Sequence, residues 1–339
     1  MKKVYDNAPF RCSEQPIQII LLCNNTAVNV FIAINSIRLI HQIYYNFLLI
    51  ILNYQLQSQQ HLPFSNYQFD VLFTIKIAIS IFYWRLVMKI IDLSSIIEPS
   101  PSGTPDFLKI DIKYHSHGDG AKQVEALLKV PAHLMRNGEG WATETITQLG
   151  THDSTHVDAP WHYNSTIQGK PAPTIDELPL EWFYGNGVKL DMTHKAEGDP
   201  VTPQDIEKEL KRINYTIQPN DIVLMYTGMD KFYGQPDYIF RGCGVTYEAT
   251  VMLYNAGVRV MGIDAWGWDM PLNLQAQKAL QENKPGIFWS AHQADLIYSH
   301  MERLVNLGLL PAKGFKVACF PLNIKRASAA PARVVAIVE

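Results

Sequence analysis

Between Gly150 and Tyr163 the chain reads GTHDSTHVDAPWHY, which places three of its 11 histidines and two aspartates in one short stretch. The pattern is H-x3-H-x-D-x3-H over His152, His156, Asp158 and His162, all at even positions. In an extended segment side chains alternate between faces, so these four would point the same way. A helix would also align His152 with His156, but Pro160 and the β-branched Thr151, Thr155 and Val157 count against one. Two imidazoles and a carboxylate converging on a point make a nitrogen–oxygen site for a divalent cation, with room left for water. The alternative is a surface loop that happens to be rich in histidine, and spacing this regular disfavours it. Asp153 has odd parity and reads as a solvent or turn residue. Trp161 and Tyr163 are expected to alternate to the other face, into the core.

Elements able to position such a cluster follow from Met88 onward. KIIDLSSII and ETITQLGTH read as strands, and GVKLDM (187–192) as a short β run. TPQDIEKELKRI reads as a helix: Thr202 as N-cap, Pro203 at its first position, acidic residues early and basic ones late. DIVLMYT (221–227) is a buried strand, TYEATVMLYNAG a helix stopped by Gly257, and VRVMGID the strand after it. FKVACFPLNI and ARVVAIV close the chain as β-rich runs. Strands and helices interleave, so the expected class is α/β or mixed α+β with one contiguous core. GIDAWGWDMP (262–271) follows a strand. Its Trp266, Trp268 and Asp264 could line a pocket, with core packing as the equal alternative for the tryptophans and a turn or helix cap the favoured one for Asp264.

The first 87 residues differ in texture. They contain none of the 20 glycines, and they are rich in Ile, Asn, Gln, Phe and Tyr. Folded domains use glycine at turns and helix ends. The apolar runs are short or broken by Lys76 and by asparagines, which fits a membrane span poorly, and a secretory signal fits no better. The expectation is therefore that 1–87 is an extension outside the fold, spurious or membrane-associated, and that 88–339 is the working domain. A net charge of -3 without a basic run argues against nucleic acid as a partner. Cys12, Cys23, Cys243 and Cys319 form no CxxC pair and suit a reducing compartment. A cytoplasmic location is expected if the working chain starts near Met88.

HDSTHVDAPWH resembles the signature H-x-G-T-H-x-D-x-P-x-H of the cyclase-like metal-dependent hydrolases, a family that includes bacterial kynurenine formamidase and isatin hydrolase. Every polar position and the proline match; Ser154 stands where glycine is commonest. The resemblance covers roughly 88–339 and implies a single domain of swivelling β/β/α type with a mixed sheet. It implies two divalent cations, Zn2+ or Mn2+, held by His152, His156, Asp158 and two residues near the C-terminus. Those are placed at Glu302, in MERLVNLGLLP, and at His292, preferred to His300 because the family spacing to the glutamate is nearer ten residues. His162 is implied as the catalytic acid/base.

The implied activity is hydrolysis of an amide-type C–N bond in a small molecule, an aryl formamide or a cyclic amide, by metal-activated water. A cyclase or lactone-type C–O hydrolase is the alternative enzyme, and a non-catalytic metal-binding member of the fold the alternative outside enzymology. Retention of all five implied ligands and His162 argues against the last. By analogy with the family, a homo-oligomer is expected.

Overall fold

The computed structural model describes residues 17–23, 26–32 and 88–338, and the chain separates into two compact units, 1–78 and 79–339. The expectation of an extension over 1–87 falls mostly outside the described residues. Within the first unit, β1 (Ile17–Cys23) pairs antiparallel with β2 (Thr26–Ile32). No helix among the described residues is long and apolar enough to cross a membrane.

The second unit is built on a nine-stranded mixed sheet. Its strands are β3 (Lys89–Asp92), β6 (His156–Asp158), β9 (Tyr184–Asp191), β10 (Ile222–Tyr226), β11 (Val260–Ile263), β12 (Ser299–Glu302), β13 (Phe315–Ala318), β14 (Ala329–Pro331) and β15 (Val335–Val338). They lie in the order β14-β6-β12-β11-β10-β9-β13-β15-β3. The four central strands, β9 to β12, run parallel, and the flanking ones pair antiparallel. Parallel neighbours need long crossovers, and the helices α3 (Pro203–Arg212), α4 (Tyr247–Asn255) and α5 (Leu272–Glu282) lie within the three that this sheet requires. The mixed α+β class read from the sequence is what the chain forms.

Local chemistry explains the boundaries. Thr202 and Asp205 close a reciprocal capping box at the start of α3, with Pro203 in its first turn. Thr246 caps α4 by accepting from Ala249 N–H. In β10 successive residues alternate between two apolar layers: Ile222 and Leu224 pack with Val157, Met301 and Leu304, while Val223 and Met225 pack with Val188, Ile206 and Leu253. A strand covered on both faces reads as an unbroken apolar run. The core is therefore two layers, one on each side of the sheet, rather than the single contiguous one expected. Each large side chain fully buried in them contributes about 1.5–3 kcal/mol.

Two smaller pairings complete the described strands. The predicted strand at ETITQLGTH forms as β5 (Thr143–Gln148), which pairs with β4 (Asp111–His115) in an exposed two-stranded sheet, with α1 (His117–Leu128) between them. β7 (Thr166–Ile167) and β8 (Lys170–Pro171) form a short hairpin.

Candidate metal centre

The candidate ligands sit on two adjacent strands. β6 and β12 pair antiparallel, with His156 opposite Glu302, Val157 opposite Met301 and Asp158 opposite His300. Side chains alternate along each strand, so His156, Asp158, His300 and Glu302 form a two-by-two array on one face. Val157 and Met301, on the other face, anchor the pair in the core. All four polar residues are 5 % exposed or less.

Close contacts tie the array together. His300 Nε2 lies 3.0 Å from Asp158 Oδ2 and 3.2 Å from Glu302 Oε1. His156 Nε2 lies 3.2 Å from Asp158 Oδ1. His152 Nδ1 lies 2.8 Å from the same oxygen, and His292 Nε2 lies 3.6 Å from Glu302 Oε1. Both C-terminal histidines, His292 and His300, therefore reach the carboxylates. His300 carried the weaker claim in the sequence. Its position two residues before Glu302 is the same strand parity that joins His156 to Asp158.

The outer atoms of each ring are anchored, which aims the inner ones. His156 Nδ1–H donates to the Ser154 carbonyl at 2.9 Å, leaving Nε2 to face the carboxylates. His292 Nδ1–H donates to Asp269 at 2.5 Å, and Asp269 is itself fixed by the backbone N–H groups of Ala291 and His292. His300 Nδ1 shares a hydrogen bond of 3.1 Å with the Tyr163 hydroxyl, and His152 Nε2 one of 3.0 Å with Ser328. Fixing the far nitrogen of an imidazole in this way sets its tautomer and is the usual support of a metal ligand.

The conformation of the opening stretch differs from a simple extended run. Residues 151–155 form a turn, β6 is extended, and Pro160–Tyr163 makes one helical turn, α2, with Pro160 at its start. His162 reaches the cluster from that helical turn, because Pro160 has no N–H to leave unpaired there and its fixed φ suits the position. The rings of His162 and His152 lie 4.0 Å apart between centroids, and those of His162 and His292 5.8 Å apart. Trp161 is 44 % exposed rather than turned into the core, and Tyr163 is buried beneath His300. Asp153 is a turn residue, accepting from Gly150 N–H at 2.6 Å, but is buried rather than solvated. Ser154 has φ +56°, which gives the preference for glycine at this position its physical reason.

Burial and ion pairing pull against one another in this cluster. Burial would raise the pKa of Asp158, but the surrounding histidines hold it well below the carboxylate range. Burial likewise opposes ionisation of Glu302, yet His300 and its neighbours bring it down to about 2. His300 would be depressed by burial, and the two carboxylates instead lift it to about 9. His162 responds differently: burial outweighs the nearby charges and lowers it to about 4.

Of the five buried side-chain atoms without a hydrogen-bond partner among the described residues, four converge here: His156 Nε2, His300 Nε2 and both oxygens of Asp158; the fifth is Ser299 Oγ. The close contacts of the four lack hydrogen-bond geometry. Buried polar atoms are paired in nearly all native structures, so a converging set of orphans fits a divalent cation. Potential ligand atoms of Asp158, His292, His300 and Glu302 lie within 4.8 Å of one another, as do those of His152, Asp158 and His162. The two sets share Asp158.

A cavity of about 520 Å³ opens onto this cluster. Trp266, Trp289, Met270 and Pro271 line it beside His162 and His292. Trp289 stacks on His292 with centroids 4.7 Å apart. Of the other residues in GIDAWGWDMP, Trp268 is buried beneath the cluster, stacked on His300, and its backbone N–H donates to Glu302 at 2.8 Å. Asp264 lies outside the cavity lining and ties down the loop at Thr227 and Gly228.

Comparison with known proteins follows the same lines. The sequence profile of a family described as putative cyclase matches residues 80–270, more than half of the chain. A kynurenine formamidase from Salinibacter ruber is 29 % identical over 199 residues, covering 56 % of this chain and 76 % of that protein. An isatin hydrolase from Roseibium aggregatum is 26 % identical over 201 residues, covering 56 % and 73 %. Among solved structures, isatin hydrolase A from Ralstonia solanacearum superposes with a TM-score of 0.59 at 21 % identity, covering 78 % of this chain and 97 % of that one. An isatin hydrolase bound to the product analogue thioisatinate gives 0.57 at 21 % identity, covering 78 % and 98 %. At these identities the structural likeness speaks for the fold.

Proposed function

Because the chain belongs to the putative cyclase family, we propose that it is a metal-dependent hydrolase of an amide-type carbon–nitrogen bond, acting on an aryl formamide or a cyclic amide. The observation that carries this reading is the set of orphaned atoms on His156, His300 and Asp158, buried and aimed at one another beside a cavity with two tryptophans in its wall. The names of the curated relatives, kynurenine formamidase and isatin hydrolase, supply the substrate classes.

His152, His156, Asp158, His292, His300 and Glu302 would hold the cation. Zn2+ or Mn2+ suits a nitrogen–oxygen donor set of this kind, and six donor residues are more than one tetrahedral ion needs, which favours a pair of ions. A bound divalent ion supplies a water of lowered pKa and positive charge where an oxyanion develops.

The chain's own residues supply the rest. His162 is neutral near pH 7, because burial holds its pKa at about 4. Its free lone pair can take a proton from the attacking water and return it to the departing nitrogen. Asp269 and Tyr163 hold His292 and His300 in orientation. Trp266 and Trp289 offer apolar surface to an aryl group and keep bulk water from it.

The full chain loaded with Zn2+ or Mn2+ and offered N-formylkynurenine, isatin and an aryl lactone tests the reading. Turnover of at least one of the two amides is expected. Cleavage of the lactone with neither amide touched would favour the carbon–oxygen alternative. No turnover of any of the three, with metal bound, would favour a non-catalytic role.

A further inference from the structure

Resting on the hydrolase reading, we infer that the substrate carries a carboxylate, and that Arg303 is the residue that recognises it. Arg303 follows Glu302 directly and lines the same cavity. Arg303 is 8 % exposed, so most of its side chain is packed into the cavity wall. Among the described residues no carboxylate lies within ion-pairing distance of it. Its one hydrogen bond runs from Nε to the Trp266 carbonyl at 3.5 Å, the limit of what can be counted. The terminal nitrogens of the guanidinium have no hydrogen-bond acceptor among the described residues. The guanidinium thus lines the cavity with its donors free, and a substrate carboxylate is the anion that such a fork takes best.

Arg241, the other arginine lining the cavity, makes the contrast. Its guanidinium is tied to Glu197 at 2.7 Å and to Asp237 at 2.6 Å, so its charge is already met.

The backbone has been bent to present Arg303. In a regular strand residues 302 and 303 would face opposite ways. Arg303 instead adopts φ +57°, a left-handed conformation that L side chains rarely take, and Glu302 and Arg303 both line the cavity. The bend is held on both sides. Arg303 N–H donates to the Ala265 carbonyl at 3.0 Å, and the Thr155 hydroxyl donates to the Arg303 carbonyl at 2.6 Å. These two hydrogen bonds hold Arg303 in that conformation. The guanidinium lies over the Trp266 ring, 4.7 Å from its centroid. Stacking fixes its plane and leaves an edge suited to a bidentate carboxylate. Arg303 and Trp266 together form a subsite for an anionic aryl compound in the cavity that His162 and His292 also line.

The test uses the full chain and two probes of one shape, benzoate and benzamide, with binding followed by calorimetry before and after treatment with a chelator. Benzoate should bind at least about tenfold more tightly than benzamide in both conditions, as a charge-assisted pair requires. Arg303→Gln should remove that preference. Arg303→Lys, which keeps the charge without the planar fork, should retain part of it. Equal binding of the two probes to the parent protein overturns the proposal. So does a benzoate preference that survives Arg303→Gln or vanishes on chelation, since the cation would then be the carboxylate's partner. The hydrolase reading is tested separately, because these measurements need no turnover. On an amide substrate, Arg303→Gln should lower the kcat/KM ratio of the carboxylated over the uncharged analogue by about tenfold, and an equal fall for both would count against it.

Discussion

Asp158 and Asp264 are both fully buried; Asp158 ends β6 and Asp264 directly follows β11, two strands of one sheet with β12 between them. They differ in what meets them. Asp264 accepts from Thr227 N–H at 2.8 Å, from the Thr227 hydroxyl at 2.5 Å and from Gly228 N–H at 2.7 Å. Both of its oxygens are satisfied. Asp158 faces His152, His156 and His300 at 2.8–3.2 Å, yet neither of its oxygens has a hydrogen-bond partner. Burial alone therefore does not identify a functional carboxylate. What separates the two is whether backbone donors or orphaned imidazole nitrogens surround the charge. Asp264 organises a loop, and Asp158 is the shared donor of the proposed metal centre.

The sharpest way to break this contrast is to make the same change in both places. Asp158→Asn should lower turnover by about 1,000-fold or more, by removing bound metal. Its stability, measured near pH 7 in the presence of a chelator, should also fall, because the histidines that hold the Asp158 pKa down lose their charged partner. Metal content by elemental analysis and turnover of the best amide substrate check the first expectation, and urea titration the second. Retention of metal by Asp158→Asn would remove Asp158 from the ligand set. His162→Ala comes next, with a loss of about 100-fold or more in turnover and metal content unchanged. Loss of metal in that variant would make His162 a ligand.

Asp269 sits between the two types. It is a buried carboxylate satisfied by backbone N–H groups, as Asp264 is, but it also holds His292. Asp269→Asn should therefore weaken metal affinity by about 10–100-fold without abolishing binding. Competition against a coloured chelator measures it, and an unchanged affinity would take His292 out of the site.

The difference between the two aspartates was only partly legible in the sequence. The parity of His156 and Asp158 could be read directly, because a strand fixes which side chains share a face. The same rule applies to His300 and Glu302 once SHME is known to be a strand. The register that sets His300 opposite Asp158 could not be read locally, since it joins segments some 140 residues apart through the topology of the whole sheet. His162 arrived by a helical turn, which the extended reading did not anticipate although Pro160 is a common start for one. Asp264 stayed ambiguous because its partners, Thr227 and Gly228, lie in TGMDKFYG, a loop whose role only the tertiary structure supplies. Tyr163, Asp269 and Arg303 carry no signal of their own. Their roles come from what folding places beside them.

Asp264 also offers the smallest and most specific test. Burial outweighs its three donors and raises its pKa from 3.8 to about 6. The folded state thus holds the proton more tightly than the unfolded chain does. The stabilisation from protonating Asp264 is fully present below pH 3.8 and is lost as pH rises through 6. Asp264→Asn cannot titrate. It keeps the acceptor that faces Thr227 but sets an amide N–H against Gly228 N–H, leaving a buried donor unpaired at a cost of about 1–3 kcal/mol. Measured by urea titration near pH 7, the variant should be less stable by that amount, with its metal retained. As pH falls from 6 towards 4 the parent should gain on the variant by about 1.4 kcal/mol per unit. A stability difference independent of pH would mean that Asp264 is ionised throughout that range, its three hydrogen bonds outweighing its burial.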